Sequence, residues 1–334
     1  MDKELENLVA ATNAPLSEPE MNRTIGSGTP RFELYHFALS LCSQKVRACL
    51  AEKDATFIAH DINLQMPLLG NYDPGYVSLR LAAETRSGFA TGYTGRSSVE
   101  TEGFDPAVVP TLVDHIAGVV VVDSVAICRH IDVVTEPAGS LIPVALEKDI
   151  ARELAIVDAT PHVAVLYGAH PDGDFRPERL QKGMPGVHNR KISKIKTARD
   201  LALDNPALVA AYDAKIAKEE AAKDFVASSD LMRASVNEFL SIVAELETRL
   251  SDGRNWICGD RFSLADVFWG VSLFRLKWLG MAFVWEGGHP LNDVARPAVE
   301  SYGSRLFARS AFRKAAIDWS GVPQSEYVRD HYKN

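Results

Sequence analysis

The chain has 334 residues, enough for two domains with full cores, and its hydrophobic fraction of 46% and charged fraction of 24% are ordinary for a globular protein. A formal net charge of −8 argues against nucleic acid as a partner, since affinity there comes mainly from Lys and Arg neutralising phosphates, and leaves small molecules as the expected ligands. Four cysteines without a CxxC fit a reducing compartment, so a cytoplasmic protein is expected, and Arg275 and Lys277 interrupt the most apolar window, 267–285, so no membrane partner is.

Residues 1–30 are polar, with early acids and no apolar core of a signal peptide, and are expected to form a flexible arm. Phe32, Leu34 and His36 then alternate with Glu33, Tyr35 and Phe37 in a β-rich run. Ser40 stands just before a helical pattern of Val46, Cys49 and Leu50, and reads as its N-cap. Cys42 thereby falls at about the second helical position, where free backbone N–H groups and the positive end of the helix dipole favour an anion. Cysteines at helix starts reach pKa values of roughly 3.5 to 7.5, against about 8.5 when free, so a reactive thiolate is physically reasonable there. Lys45 and Arg47 add positive charge, although Arg47 could equally brace the helix against a second domain. The alternative is a core role, because Cys42, Val46 and Cys49 share one helical face and unpaired cysteine is often buried. Cys49, Cys128 and Cys258 are read as core residues.

A second strand is expected over 56–64, completing a β-α-β unit. The next strands, 108–113 with Pro110 inside it and 119–122, form a hairpin; Pro110 cannot donate to a ladder and belongs at an edge or a special turn. A helix opens at Asp123-Ser124, capped by either side chain. The order β-α-β then β-β-α over 31–135 is that of a thioredoxin-like α/β domain. Residues 65–107 are the oddity, since loops longer than about 15 residues are usually functional or disordered. Tyr72, Tyr76, Phe89, Tyr93 and Phe104 are too many aromatics for a disordered linker, so a partly helical insert packed near the site is expected.

From 145 to 334 no strand pattern recurs, and an all-α domain is expected, with helices at about 146–168, 206–226, 229–251, 263–280 and 295–317 and a break at 170–185. Its sharpest local signal is Phe262-Ser263-Leu264-Ala265-Asp266-Val267, with Ser263 and Asp266 as a capping box and Phe262 stapling on Val267. His162, His170 and His188 with Asp158, Asp172 and Asp174 match no zinc or calcium spacing, so no metal is expected. No G-x-G-x-x-G, Walker or G-x-S-x-G pattern is present, which argues against nucleotide cofactors and a serine hydrolase.

Ser40-Leu41-Cys42-Ser43 at a helix start, Val109-Pro110-Thr111 before a strand, Asp123-Ser124 opening a helix and the Ser263/Asp266 capping box occur in the order and spacing of the cytosolic glutathione transferases, which the chain resembles from Phe32 to about Trp319. The resemblance implies glutathione as co-substrate and a homodimer. It implies that Pro110 is cis, that the backbone of Val109 pairs with the cysteinyl part of glutathione, and that Asp123 and Ser124 hold the γ-glutamyl end. The long insert departs from the family, and it begins where the family usually supplies the residues for the glycyl carboxylate.

A closer likeness is to the bacterial glutathione-dependent reductive dehalogenases of chlorinated hydroquinones. It rests on Phe-x-x-Ser-x-Cys-Ser-x-Lys-x-Arg at 37–47, Asn71-Tyr72 to Val77, Val108-Val109-Pro110-Thr111-Leu112-Val113, Ala159-Thr160-Pro161-His162-Val163-Ala164 and the run from Gly259 to Asp266. It implies Cys42 and Ser43 as catalytic residues: glutathione displaces chloride, Cys42 attacks the thioether sulfur, and a second glutathione frees the enzyme. An acceptor pocket of Phe37, Ser40, His162 and Tyr167 for a small aromatic substrate follows from the same likeness. Two alternatives stand beside this reading: a transferase that cleaves aryl ethers or strips glutathione from aromatic conjugates, and a non-catalytic binding module of the same fold.

Overall fold

The computed structural model of the chain describes residues 2–16, 18, 21–83, 88–135 and 139–319. The described residues among the first 30 correct the flexible arm expected there. Helix α1 (Lys3–Asn13) starts on Asp2, whose carboxylate accepts the Leu5 N–H at 2.8 Å, and strand β1 (Asn22–Ile25) follows. Leu5, Val9 and Leu16, sparse among acids, converge on one apolar cluster with Tyr76 and Leu79, and the Thr12 hydroxyl donates to the Gly75 carbonyl at 3.1 Å. Burial of that stripe is what folds the segment onto the domain.

β2 (Phe32–His36) is followed by α2 (Leu41–Glu52) and β3 (Phe57–Asp61), with β2 and β3 parallel. After the insert come β4 (Thr111–Asp114) and β5 (Val119–Val122), an antiparallel pair, and the sheet order is β1-β3-β2-β4-β5. β4 begins after Pro110 rather than containing it, because proline has no N–H for the ladder. Every residue of β2 is buried, since Phe32 and Leu34 join the main core on one face while Tyr35 joins the α1 cluster on the other.

The insert holds a 3₁₀ turn at Gly70–Tyr72, α3 (Pro74–Leu81) and α4 (Val99–Glu102). α3 supports the start of β4: the Tyr76 hydroxyl donates to the Val108 carbonyl at 2.7 Å, and Arg80 donates to the Pro110 carbonyl and the Asp105 carbonyl at 2.8 and 2.9 Å. α5 (Ser124–Val134) completes the first domain against α2.

The rest is helical: α6 (Glu147–Asp158), α7 (His162–Tyr167), α8 (Glu178–Gly183), α9 (Val187–Asp200), α10 (Pro206–Ala227), α11 (Ser229–Leu250), α12 (Leu264–Trp278), α13 (Phe283–Glu286), α14 (Pro297–Ala308) and α15 (Ser310–Phe312). The tail of the expected all-α domain, 320–334, lies outside the described residues. The helix expected over 146–168 is two, because Pro161 lacks an N–H and disfavours helical geometry at the residue before it. α9 escapes sequence reading because Val187, Ile192 and Ile195 are the few apolar residues it buries among basic ones. α12 is buried almost throughout, and Asp266 fixes its start by accepting from the Ser263 N–H and hydroxyl at 2.8 and 2.9 Å. Phe262 packs on the Trp256 ring and under the Arg309 guanidinium. Among the described residues no helix is long and apolar enough to cross a membrane.

Candidate active site

Two serines lace the corner between β2 and α2. Ser40, in extended backbone, accepts the Ser43 N–H on its hydroxyl oxygen at 3.3 Å, which satisfies one of the free donors of the helix start. Ser43 is itself fully buried, and its hydroxyl oxygen accepts the Phe37 N–H at 3.3 Å. Its side chain therefore braces the corner from within. Cys42 lies between them at the second helical position, half-buried, with its Sγ 3.5 Å from the Ser97 hydroxyl of the insert.

One turn further on, Lys45 is fully buried. Its ammonium meets Asp158 of α6 at 3.2 Å and lies over the Phe268 ring at 4.5 Å. Burial opposes that charge, but Asp158, Cys42 and Asp123 outweigh it and the Lys45 pKa is raised. Lys45 is thus the cation shared by the thiol and two carboxylates. Arg47 points the other way: it donates to the carbonyls of Ala315, Phe37 and Ala38 at 2.8, 3.2 and 2.9 Å and lies 4.6 Å from the Trp319 ring. Of its two readings, bracing is the one the contacts support; burial pulls its pKa down to about 9.

The opposite wall is the corner between β5 and α5. Asp123 has a φ of 74°, in the left-handed region, and one carboxylate oxygen accepts the N–H groups of Val125 and Ala126 at 2.9 and 3.1 Å. Burial, then the nearby Asp158, raises its pKa. Ser124 is 2% exposed, and its hydroxyl has no protein partner. A buried hydroxyl left unpaired costs about 1 to 3 kcal/mol, so this corner is suited to a polar ligand. The Val109–Pro110 bond is cis, and it leads into β4 at the end of the β4–β5 pair where Thr111 faces Val122, next to this corner.

Three of the residues assigned to an acceptor pocket are engaged in the fold. Phe37 belongs to the apolar cluster of Tyr35, Tyr76 and Val109, and Ser40 is the helix cap. His162 is buried and hydrogen-bonded to the Thr160 and Ser272 hydroxyls at 2.5 and 2.8 Å, and burial pushes its pKa well down, so it is a neutral core residue. Tyr167 is half-buried, edge-on to His188 with the Lys191 ammonium 4.0 Å from its ring centre. The histidines weighed as metal ligands have separate partners: His188 pairs with Glu219 at 2.7 Å, and the His170 ring accepts the Asp172 N–H at 3.2 Å.

The insert supplies what sequence reasoning missed. Gly95, at a φ of +79°, turns its carbonyl to the N–H groups of Val163 and Ala164, both at 3.0 Å, and so caps α7; a Cβ there would lie 2.6 Å from the Ala164 side chain. Arg96 grips Glu238 of α11 with two bonds of 2.9 and 2.8 Å and also donates to the Ala159 carbonyl. Asp158, Ser97 and this clamp have no local motif, and only the fold brings Ser97 to Cys42 and Asp158 to Lys45.

Residues 39–134 match the family described as "Glutathione S-transferase, N-terminal domain", and residues 217–299 match "Glutathione S-transferase, C-terminal domain". The chain is 44% identical over 313 residues to the 2,5-dichlorohydroquinone reductive dechlorinase of Sphingobium indicum, covering 93% of this chain and 89% of that one. It is 24% identical over 301 residues to the tetrachloro-p-hydroquinone reductive dehalogenase of Sphingobium chlorophenolicum, covering 87% and 99%. Among solved structures, the β-etherase LigF from Sphingobium sp. strain SYK-6 superposes with a TM-score of 0.52 at 17% identity, over 85% of this chain and 98% of that one, a likeness of fold.

Proposed function

The chain belongs to the glutathione S-transferase family, and from that membership we propose that it is a glutathione-dependent reductive dehalogenase of a chlorinated hydroquinone or a related hydroxylated aromatic. The observation that carries the reading is Cys42: a half-buried thiol at the second position of a capped helix, one turn from the buried Lys45 ammonium, in a chain 44% identical to a reductive dechlorinase. A hydroxyl in that position can only steady a glutathione thiolate, whereas a protein thiolate can attack sulfur.

A glutathione thiolate displaces chloride from a tautomer of the hydroquinone and forms a carbon–sulfur bond. The Cys42 thiolate attacks that sulfur; the carbon–sulfur pair leaves on the ring, which takes a proton, and a Cys42–glutathione disulfide remains. A second glutathione thiolate attacks the disulfide, restoring Cys42 and releasing glutathione disulfide. Two thiols supply the two electrons that replace chlorine by hydrogen.

Asp123 and Ser124 are assigned to the γ-glutamyl end. The Ser124 hydroxyl lacks a protein partner, and Asp123 and Asp158 together outnumber the Lys45 charge, so an incoming ammonium offsets the excess. Val109 offers backbone pairing beside the cis Pro110. Tyr167 is the pocket residue retained for the aromatic substrate. Incubation with glutathione and chlorohydroquinones tests the reading: chloride, the dechlorinated ring and glutathione disulfide are expected in equal amounts. Conversion only of aryl-ether dimers, with no chloride release, would replace it by the ether-cleaving alternative.

A further inference from the structure

We infer that Ser97, on the insert between β3 and β4, is a positioning residue for Cys42: its hydroxyl donates to the thiolate and holds it in place between attacks. The inference rests on the reading of Cys42 as the reacting thiol. Its own ground is the 3.5 Å contact between Cys42 Sγ and Ser97 Oγ, made by residues 55 apart in sequence.

The contact is built, because the segment carrying Ser97 is tied down on three sides. Glu102 accepts from the Thr94 N–H, the Thr94 hydroxyl and the Arg96 N–H at 2.8, 2.7 and 3.3 Å, closing the segment into a tight loop. Arg96, the residue before Ser97, is clamped to Glu238 and the Ala159 carbonyl. Gly95 caps α7. Ser97 is therefore delivered to the thiol by elements of both domains.

A hydroxyl suits this place because it accepts from a thiol and donates to a thiolate, and a donor bonded to the charged form favours that form. Of the charged groups around this corner, Lys45 of α2 is held by Asp158 of α6, and Asp123 at the start of α5 shares its field. The Arg96 guanidinium is spent on Glu238, and Arg275 of α12 is spent on the Leu39 carbonyl and Gln44. A neutral donor from the insert adds to the balance without adding charge. In the Cys42–glutathione mixed disulfide the sulfur of Cys42 carries no charge, so the contact matters in the two steps where the thiolate attacks or leaves.

The test uses the full chain and reads the alkylation of Cys42 by iodoacetamide against pH, with the modified peptide quantified by mass. Ser97→Ala is expected to move the midpoint of the profile up by about one pH unit and slow alkylation several-fold at neutral pH. Ser97→Thr, which keeps the hydroxyl, is expected to restore it. A midpoint unmoved in Ser97→Ala overturns the inference. So does a shift that Ser97→Thr fails to reverse, since shape rather than the hydroxyl would then be responsible. The underlying reading is checked separately by turnover of Cys42→Ser: if that variant still dechlorinates, the role of Cys42 falls, whatever the Ser97 profile shows.

Discussion

Lys45 and Asp158 meet 3.2 Å apart in the interior, one from the helix that carries Cys42 and the other from the end of the first helix of the all-α domain. Both side chains are nearly inaccessible, so the pair lies where charges are costly unless matched. It fixes the thiol-bearing helix to the second domain and leaves Asp123 as the further carboxylate in the same field.

Replacing Lys45 by Met keeps the volume and removes the cation. Asp158 and Asp123 are then left uncompensated, and the cost is expected at about 3 to 5 kcal/mol of stability, as for breaking a buried pair by one partner. Lys45→Met combined with Asp158→Leu should recover most of it. Urea unfolding of the single and double variants checks this; a double variant no more stable than the single would mean that the pair is not what the single variant breaks.

Asp123 has two tasks that substitution can separate. Asp123→Asn keeps an oxygen for the Val125 and Ala126 N–H groups, so the helix cap and the melting temperature should change little. The charge for a ligand ammonium is lost, and glutathione binding should weaken by about 1.5 to 3 kcal/mol. Calorimetry with glutathione measures it, and unaltered affinity would remove Asp123 from the γ-glutamyl site.

Acid should weaken the first domain through Glu33. Its buried carboxylate accepts from Asn13 and Tyr35 at 3.0 Å each and pairs with His60 and His115 at 2.6 and 2.8 Å. Burial alone would raise its pKa, but the bonds to His60, Asn13 and Tyr35 prevail and bring it from 4.5 to about 2. A carboxylate depressed in the folded state contributes stability that is complete above 4.5 and is lost as pH falls from there towards about 2. The contribution is on the order of 3 kcal/mol. Glu33→Gln should therefore be less stable than the parent near neutral pH and converge on it in acid; parallel curves across that range would contradict the assignment.

Local chemistry was legible in the sequence and distant chemistry was not. Ser40, Asp123 and the Ser263/Asp266 pair act on residues within three or four positions, so their caps could be read directly. Cys42 at the second position of its helix followed from the same rule. Ser43 is fully buried with its hydroxyl accepting the Phe37 N–H, a contact that its place beside Cys42 in the sequence does not reveal. The arm was misread because Leu5, Val9 and Leu16 are too sparse among acids to show that a hydrophobic face waits for them on α3. Ser97 reaches Cys42 through the insert and Asp158 reaches Lys45 from the second domain, and neither they nor the Arg96 clamp carries a mark in its own neighbourhood.

The chemistry itself is decided at Cys42. Cys42→Ser leaves the helix start, Lys45 and the glutathione corner in place, and Ser differs from Cys by one atom. Glutathione should still displace chloride, because that step uses its own thiolate, but the serine hydroxyl cannot take glutathione off sulfur. The reaction is therefore expected to stop at the conjugate, with an aromatic glutathionyl adduct accumulating in mass spectra where the parent gives the dechlorinated ring and glutathione disulfide. Ser43→Ala is the control beside it. It removes the bond from the Phe37 N–H inside the corner and should cost about 1 kcal/mol of stability while the product stays the same. If Ser43→Ala instead stalls at the conjugate and Cys42→Ser completes the reaction, the two residues have exchanged roles and the inward serine, not the half-buried cysteine, is the group the chemistry depends on.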